Sequence, residues 1–117
     1  MARLSTHVLD LSHGEPAVGL RIELFRLEGD KRELVAAVTT IRDGRTAEPL
    51  LEADCLPRGK FELIFHAGAY FLGRGIALAD PPFLDEVVIR FNLDPAGGSY
   101  HVPLLVAPYG YSTYRGS

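Results

Sequence analysis

Turn-forming residues interrupt this chain so often that no regular segment can run far, and that punctuation decides most of what it can become. Twelve glycines and eight prolines are spread along 117 residues. Between them lie short runs with strand chemistry. Leu20-Arg21-Ile22-Glu23-Leu24 alternates apolar and charged side chains with period two, the pattern of a half-buried strand. Phe61, Leu63 and Phe65 alternate with Glu62 and Ile64 in the same way. Leu4 to Leu9, Val87 to Leu93, Tyr100 to Ala107 and a last segment near Tyr111 to Tyr114 also read as strands, as does Leu34 to Ile41, rich in Val and Thr. The turns fall at His13-Gly14-Glu15-Pro16, Glu28-Gly29-Asp30-Lys31, Asp43-Gly44, Pro57-Arg58-Gly59-Lys60 and Pro108-Tyr109-Gly110, with a loop over Asp94 to Gly98. One short helix fits within Ala67 to Arg74, ended by Gly73 and Gly75, and Pro81-Pro82 forbids helix beyond it. Roughly eight short strands at this spacing predict an all-β sandwich of two sheets.

A chain of 117 residues fits one domain over 1–117, and 47% hydrophobic residues supply its core. A net charge of -3 argues against nucleic acid as a partner, and no basic run offers attachment to anionic lipid. No segment approaches the roughly 20 apolar residues of a membrane span, and MARLSTHVLD lacks an apolar stretch of signal-peptide length. Cys55 is the only cysteine, so no intrachain disulfide or CxxC metal site can form, and a lone thiol suits a reducing compartment. Among mixed apolar neighbours it reads as an inert thiol. A cytoplasmic protein is the expectation.

The strand Tyr100 to Ala107 departs from simple alternation. One face carries Tyr100, Val102, Leu104 and Val106; the other carries His101, Pro103, Leu105 and Ala107. Neither face looks solvated, as expected if one packs on the core and the other on a second subunit.

Several chemistries have no signature here. HExxH, closely spaced histidine pairs and calcium-loop ladders are missing, so no metal site is expected. GxSxG and a phosphate-cradling glycine loop are missing too. What remains is general acid–base work by histidine, with positive charge for a developing oxyanion. His7 and His101 lie within predicted strands, where a histidine is more often packed and hydrogen-bonded than catalytic. Arg45 follows the Asp43-Gly44 turn and offers a planar, permanently charged fork for a carbonyl-rich or anionic ring, although a solvated turn arginine is the commoner case. The tail Tyr111 to Ser117 is rich in tyrosine and hydroxyls, which frayed ends avoid, so it is expected to dock as an extended segment. His13 and His66, in or beside turns, read as surface residues.

These pieces gain a common meaning from a resemblance. LSTHVLD at 4–10 with GEPAVG at 14–19, DGR at 43–45, YHVPLL at 100–105 and the terminal YRGS at 114–117 resemble, in the same order, the 5-hydroxyisourate hydrolases. The resemblance implies a transthyretin-like two-sheet β-sandwich with one short helix, and a metal-free, cofactor-free enzyme. Its substrate would be 5-hydroxyisourate, the unstable product of urate oxidation. Its product would be 2-oxo-4-hydroxy-4-carboxy-5-ureidoimidazoline. By the same resemblance His7, Arg45, His101 and Ser117 belong to the active site, with Arg45, Tyr114 and Ser117 contacting substrate. The resemblance also implies a homotetramer holding its sites in clefts where two dimers meet. One histidine would take a proton from water while the other orients it or protonates the leaving nitrogen. Which does which stays open. Transthyretin, a hormone carrier, shares the layout, including a segment like PYGYST, so a non-catalytic small-ligand binding protein is the alternative. The carrier lacks the catalytic residue types at these positions and does not end in YRGS. One departure is Ala107, where many members have Ser.

Overall fold

The computed structural model describes residues 1–116. In chain order the strands are β1 (Ala2–Asp10), β2 (Glu15–Pro16), β3 (Arg21–Glu28), β4 (Lys31–Thr39), β5 (Leu51–Ala53), β6 (Gly59–Phe65), β7 (Val87–Leu93), β8 (Tyr100–Ala107) and β9 (Gly110–Thr113). One helix, α1 (Ala67–Gly73), follows β6. One sheet runs β2-β1-β8-β9, with β5 pairing the start of β1; the other runs β4-β3-β6-β7. All neighbours are antiparallel except β1 and β8, which are parallel. Among the described residues no helix is long and apolar enough to cross a membrane.

Alternation decides what faces inward. Along β1, Ala2, Leu4, Thr6, Val8 and Asp10 are buried, while Arg3, Ser5, His7 and Leu9 point away from the core. Val102, Leu104 and Val106 of β8 meet Ile22 and Leu24 of β3 and Phe61, Leu63 and Phe65 of β6 in one cluster between the sheets. The sandwich follows from the pattern.

Two strands were not expected. β2 has two residues and lies inside the predicted turn at 13–16, and β5 is a three-residue edge strand with no period to read. The segment expected as Leu34 to Ile41 is displaced toward its N-terminus. Glu28 pairs with Lys31, so β3 and β4 are joined by Gly29 and Asp30 alone. Gly29 supplies the positive φ of 61° that so tight a hairpin requires. The predicted turn at 57–60 is also shorter, because Gly59 and Lys60 already pair with β7.

Polar groups stitch the layers. Asp10, buried at the end of β1, accepts hydrogen bonds from Ser12 Oγ on Oδ1 and from Tyr70 Oη of α1 on Oδ2, each at 2.7 Å, and Oδ2 also lies 2.5 Å from His13 Nδ1. Burial works to raise the Asp10 carboxyl, but these partners outweigh it and hold the pKa below the ordinary aspartate value. His13 is exposed, as expected of a turn residue, and is tied to Asp10. His66, read as a surface residue, is instead half-buried, 2.7 Å from Glu23 and 3.6 Å from Glu86. On the outer face of the second sheet Glu62 is only 4% exposed, bridged by Arg32 and Arg90 at 3.0 Å each. Cys55, expected among apolar neighbours, is exposed, because the segment after β5 runs over the surface.

Candidate active site

The outer face of the first sheet carries the chemistry. In the parallel ladder Ser5 lies opposite His101, and His7 stands one alternation further along β1. This register does what no local spacing announced. His101 Nδ1 is 2.7 Å from Ser5 Oγ, and His101 Nε2 is 2.7 Å from His7 Nδ1. The two rings stack with centroids 4.8 Å apart and planes 24° apart. Ser5, His101 and His7 thus form one chain of hydrogen bonds. Both nitrogens of His101 are engaged within it, while Nε2 of His7 is left outside it.

Arg45 arrives from the turn that the sequence marked. Gly44 has φ 77°, and its carbonyl accepts the Val8 amide at 2.8 Å. A Cβ at Gly44 would stand 2.4 Å from the Val8 carbonyl oxygen, so only glycine lets the turn lie this close to β1. The next residue, Arg45, then bridges His7. Its amide is held by Asp43 Oδ1 at 3.0 Å.

The tail docks, as its composition suggested. The Gly116 amide donates to the His101 carbonyl at 2.6 Å, and a Cβ at Gly116 would meet His101 Cδ2 at 2.9 Å. Glycine is what lets the backbone lie against the imidazole edge. Arg115 stacks 3.8 Å from the Tyr100 ring centroid and donates to the Gly97 and Ser99 carbonyls at 2.9 and 3.2 Å.

A depression of about 300 Å³ beside these groups is lined by Arg3, Ser5, Arg45, Ser99, Tyr100 and His101. His7 is not part of the lining and joins it through His101 and Arg45. Burial lowers the pKa of both histidines first. For His7 the Arg45 charge adds to this and Asp43 opposes it; for His101 the neighbouring His7 and then Arg45 add to it. Both imidazoles are kept neutral near pH 7, suited to accepting a proton. Among the described residues no three His, Cys, Asp or Glu side chains converge as metal ligands.

His7, Arg45 and His101, distant in sequence, are brought together. Tyr114 is not beside them: it is 58% exposed and lines a separate depression between the sheet edges, with Ile89, Phe91, Tyr100 and Val102. Ser117 lies outside the described residues. Ser5 and Gly116 were overlooked as site residues. The shared face of Ser5 and His7 was legible, but nothing local revealed that His101 pairs with Ser5.

The profile of the HIUase/Transthyretin family matches residues 4–116. This chain belongs to that family. The HIUase/Transthyretin assignment covers every residue of the histidine–arginine cluster. Relatives agree along the whole length. A 5-hydroxyisourate hydrolase of Pseudomonas aeruginosa is 51% identical over 117 residues, covering all of this chain and 93% of its own. The 5-hydroxyisourate hydrolase 2 of Rhizobium meliloti is 56% identical over 115 residues, 98% of this chain and 96% of its own. The solved structure of Klebsiella pneumoniae 5-hydroxyisourate hydrolase superposes with a TM-score of 0.82 at 38% identity and full coverage of both chains. A crystal structure of (S)-allantoin synthase reaches 0.92 at 41% identity, matching 99% of this chain and 44% of that one. The HIUase/Transthyretin fold is thus the architecture described above, a transthyretin-like sandwich with one short helix.

The docking of the tail carries an expectation. Deleting residues 115–117 removes the Gly116 pairing and the Arg115 stack, while the core between the sheets stays intact. Turnover should fall by more than about tenfold while the melting temperature drops by less than roughly 5 °C. A large thermal shift with turnover retained would make the tail a structural strap only.

Proposed function

We propose that residues 1–117 form a single hydrolase domain that opens 5-hydroxyisourate to 2-oxo-4-hydroxy-4-carboxy-5-ureidoimidazoline in urate breakdown. The observation that carries this reading is the Ser5–His101–His7 chain beside Arg45, in a protein about half identical over its full length to named 5-hydroxyisourate hydrolases. A protein that merely bound a ring would have no use for two coupled neutral imidazoles.

His7 acts as the base, because Nε2 is the one ring nitrogen of the pair outside the hydrogen-bonded chain. Nε2 takes a proton from water as the water oxygen attacks the ring carbonyl. Arg45 holds the ring and favours the oxyanion that forms. The protonated pair then returns the proton to the leaving ring nitrogen as the C–N bond breaks, and the carboxylic acid formed gives its remaining proton to solvent to become the carboxylate of the product. Ser117 and Tyr114 close the site around the substrate in this reading, which for Tyr114 requires movement or a second subunit.

The assembly is a homotetramer with sites where dimers meet. The face of β8 bearing His101, Pro103, Leu105 and Ala107 supports it, being largely apolar and outside the core. The exposed thiol of Cys55 supports a reducing, cytoplasmic setting. Generating 5-hydroxyisourate with urate oxidase and following its absorbance tests the activity. No acceleration at micromolar protein overturns the assignment. Light scattering alongside that assay tests the assembly, since a monomer with full activity is incompatible with an interfacial site.

The lowered pKa values set the pH response. His7 must be neutral to accept a proton, so kcat/KM should fall on the acid side with an apparent pKa below the ordinary histidine value of about 6.5. The folded pair binds protons less readily than unfolded imidazoles do, so it also lowers stability as pH falls below that value. A limb centred above 7 in a pH–rate profile would contradict the neutral pair.

A further inference from the structure

Ser5 has no part in the proton transfers just described, yet its hydroxyl is the end of the chain that performs them. It is half-buried, on the same face of β1 as His7, and directly opposite His101 in the parallel ladder. Its oxygen lies 2.7 Å from His101 Nδ1, and Ser5 is among the residues lining the depression beside Arg45. We infer that Ser5 is a positioning residue for the hydrolysis, whose hydroxyl sets the direction of hydrogen bonding through His101 and so presents the lone pair of His7 Nε2 to water. This rests on the hydrolase reading above.

The logic is one of counting protons. Each neutral imidazole carries one N–H, and the contact between His101 Nε2 and His7 Nδ1 needs one donor and one acceptor. If Ser5 Oγ accepts from His101 Nδ1, then His101 Nε2 has the lone pair and must accept from His7 Nδ1. His7 Nε2 is then unprotonated and basic. If Ser5 donates to His101 Nδ1, every bond reverses and His7 Nε2 carries a proton. Only the first arrangement is a base. In it the hydroxyl proton of Ser5 is free to point into the depression that Ser5 lines.

Ser5 acts again once a proton arrives. The charge is then shared between the two rings, and the His101 N–H to Ser5 Oγ bond becomes charge-assisted and stronger. The other groups facing the pair do not substitute for it. Arg45 repels the cation, Asp43 attracts it through His7, and Gly116 occupies the carbonyl of His101, not its ring nitrogens. Arg3, further along the same face of β1, is paired with Glu52 at 2.6 Å. Ser5 is the acceptor that the chain ends on.

Ser5→Ala and Ser5→Thr, made in the full chain, test this. Ser5→Ala should lower kcat by about 10- to 100-fold while KM changes less than about threefold. It should also move the acid limb of the profile down by roughly half to one pH unit, since the shared cation loses an acceptor. Ser5→Thr keeps the hydroxyl on a strand-compatible side chain and should restore both kcat and the limb. An unchanged kcat in Ser5→Ala overturns the proposal, as does a lowered kcat with an unmoved limb that threonine fails to rescue. A readout independent of turnover separates this from failure of the hydrolase reading. Imidazole nitrogen shifts by NMR should show His101 as the Nδ1–H tautomer in the unmodified protein and a mixed population in Ser5→Ala. Identical tautomer populations would refute the role of Ser5 whatever the chain hydrolyses.

Discussion

His7→Asn is expected to reduce turnover of 5-hydroxyisourate by about 10²–10⁴-fold, the range that a lost general base commands, with the protein still folded. His7 lies on the outer face of β1 and contributes nothing to the cluster between the sheets, so the loss should be chemical. His101→Asn should fall in the same range for a different reason: it deprives His7 Nδ1 of its partner at 2.7 Å. The decisive variant is the double one. Two residues that act as a unit do not lose activity additively, so the double variant should lie within about tenfold of the worse single one. Stopped-flow absorbance with thermal melts of each variant measures both halves of the claim. Fully multiplicative losses would mean that the histidines serve separate steps.

Gly44→Ala is the second large effect, and it should appear first in stability. Two costs combine at this position: a positive φ of 77° and a Cβ placed 2.4 Å from the backbone oxygen of Val8. Backbone cannot move aside as a flexible side-chain tip would, so a loss of about 2–4 kcal/mol is expected. Gly19→Ala supplies the comparison, since φ is 83° there but nothing lies within 4 Å of the added carbon. Its cost should stay near 1 kcal/mol. Urea denaturation of the two variants reads the difference, and equal costs would mean that the turn simply shifts away from β1. Gly44→Ala should also weaken catalysis beyond its effect on folding, because Arg45 is the next residue and bridges His7.

The sequence and the structure meet unevenly. Val87–Leu93 and Tyr100–Ala107 were legible to the residue, because β-branched and apolar runs there are bounded by loop residues on both sides. Glu15–Pro16 and Leu51–Ala53 were not, since two or three residues cannot express a period. They are strands only because β1 offers an edge to pair with. The site shows the same division. His7, Arg45 and His101 could be named through motifs, but Ser5 could not, for its meaning is a partner 96 residues away. Tyr114 shows the reverse case, where a motif placed a residue in the site and the folded chain sets it on another depression. Pairing between distant strands is decided by packing of the whole sandwich, which no local window contains.

The parallel pairing of β1 with β8 also has a consequence in time. The Ser5 and His7 half of the constellation is synthesised well before the His101 and Gly116 half. At a translation rate of about 5–20 residues per second, His7 waits roughly 5–20 s before the chain that completes it exists. During that interval the outward face of β1 has no β8 beside it, and β8 cannot arrive until residues far down the chain have been made. A nascent or prematurely terminated chain therefore carries strands, turns and even Arg45, but no proton relay. Within this domain the relay is complete only once β8 has paired with β1.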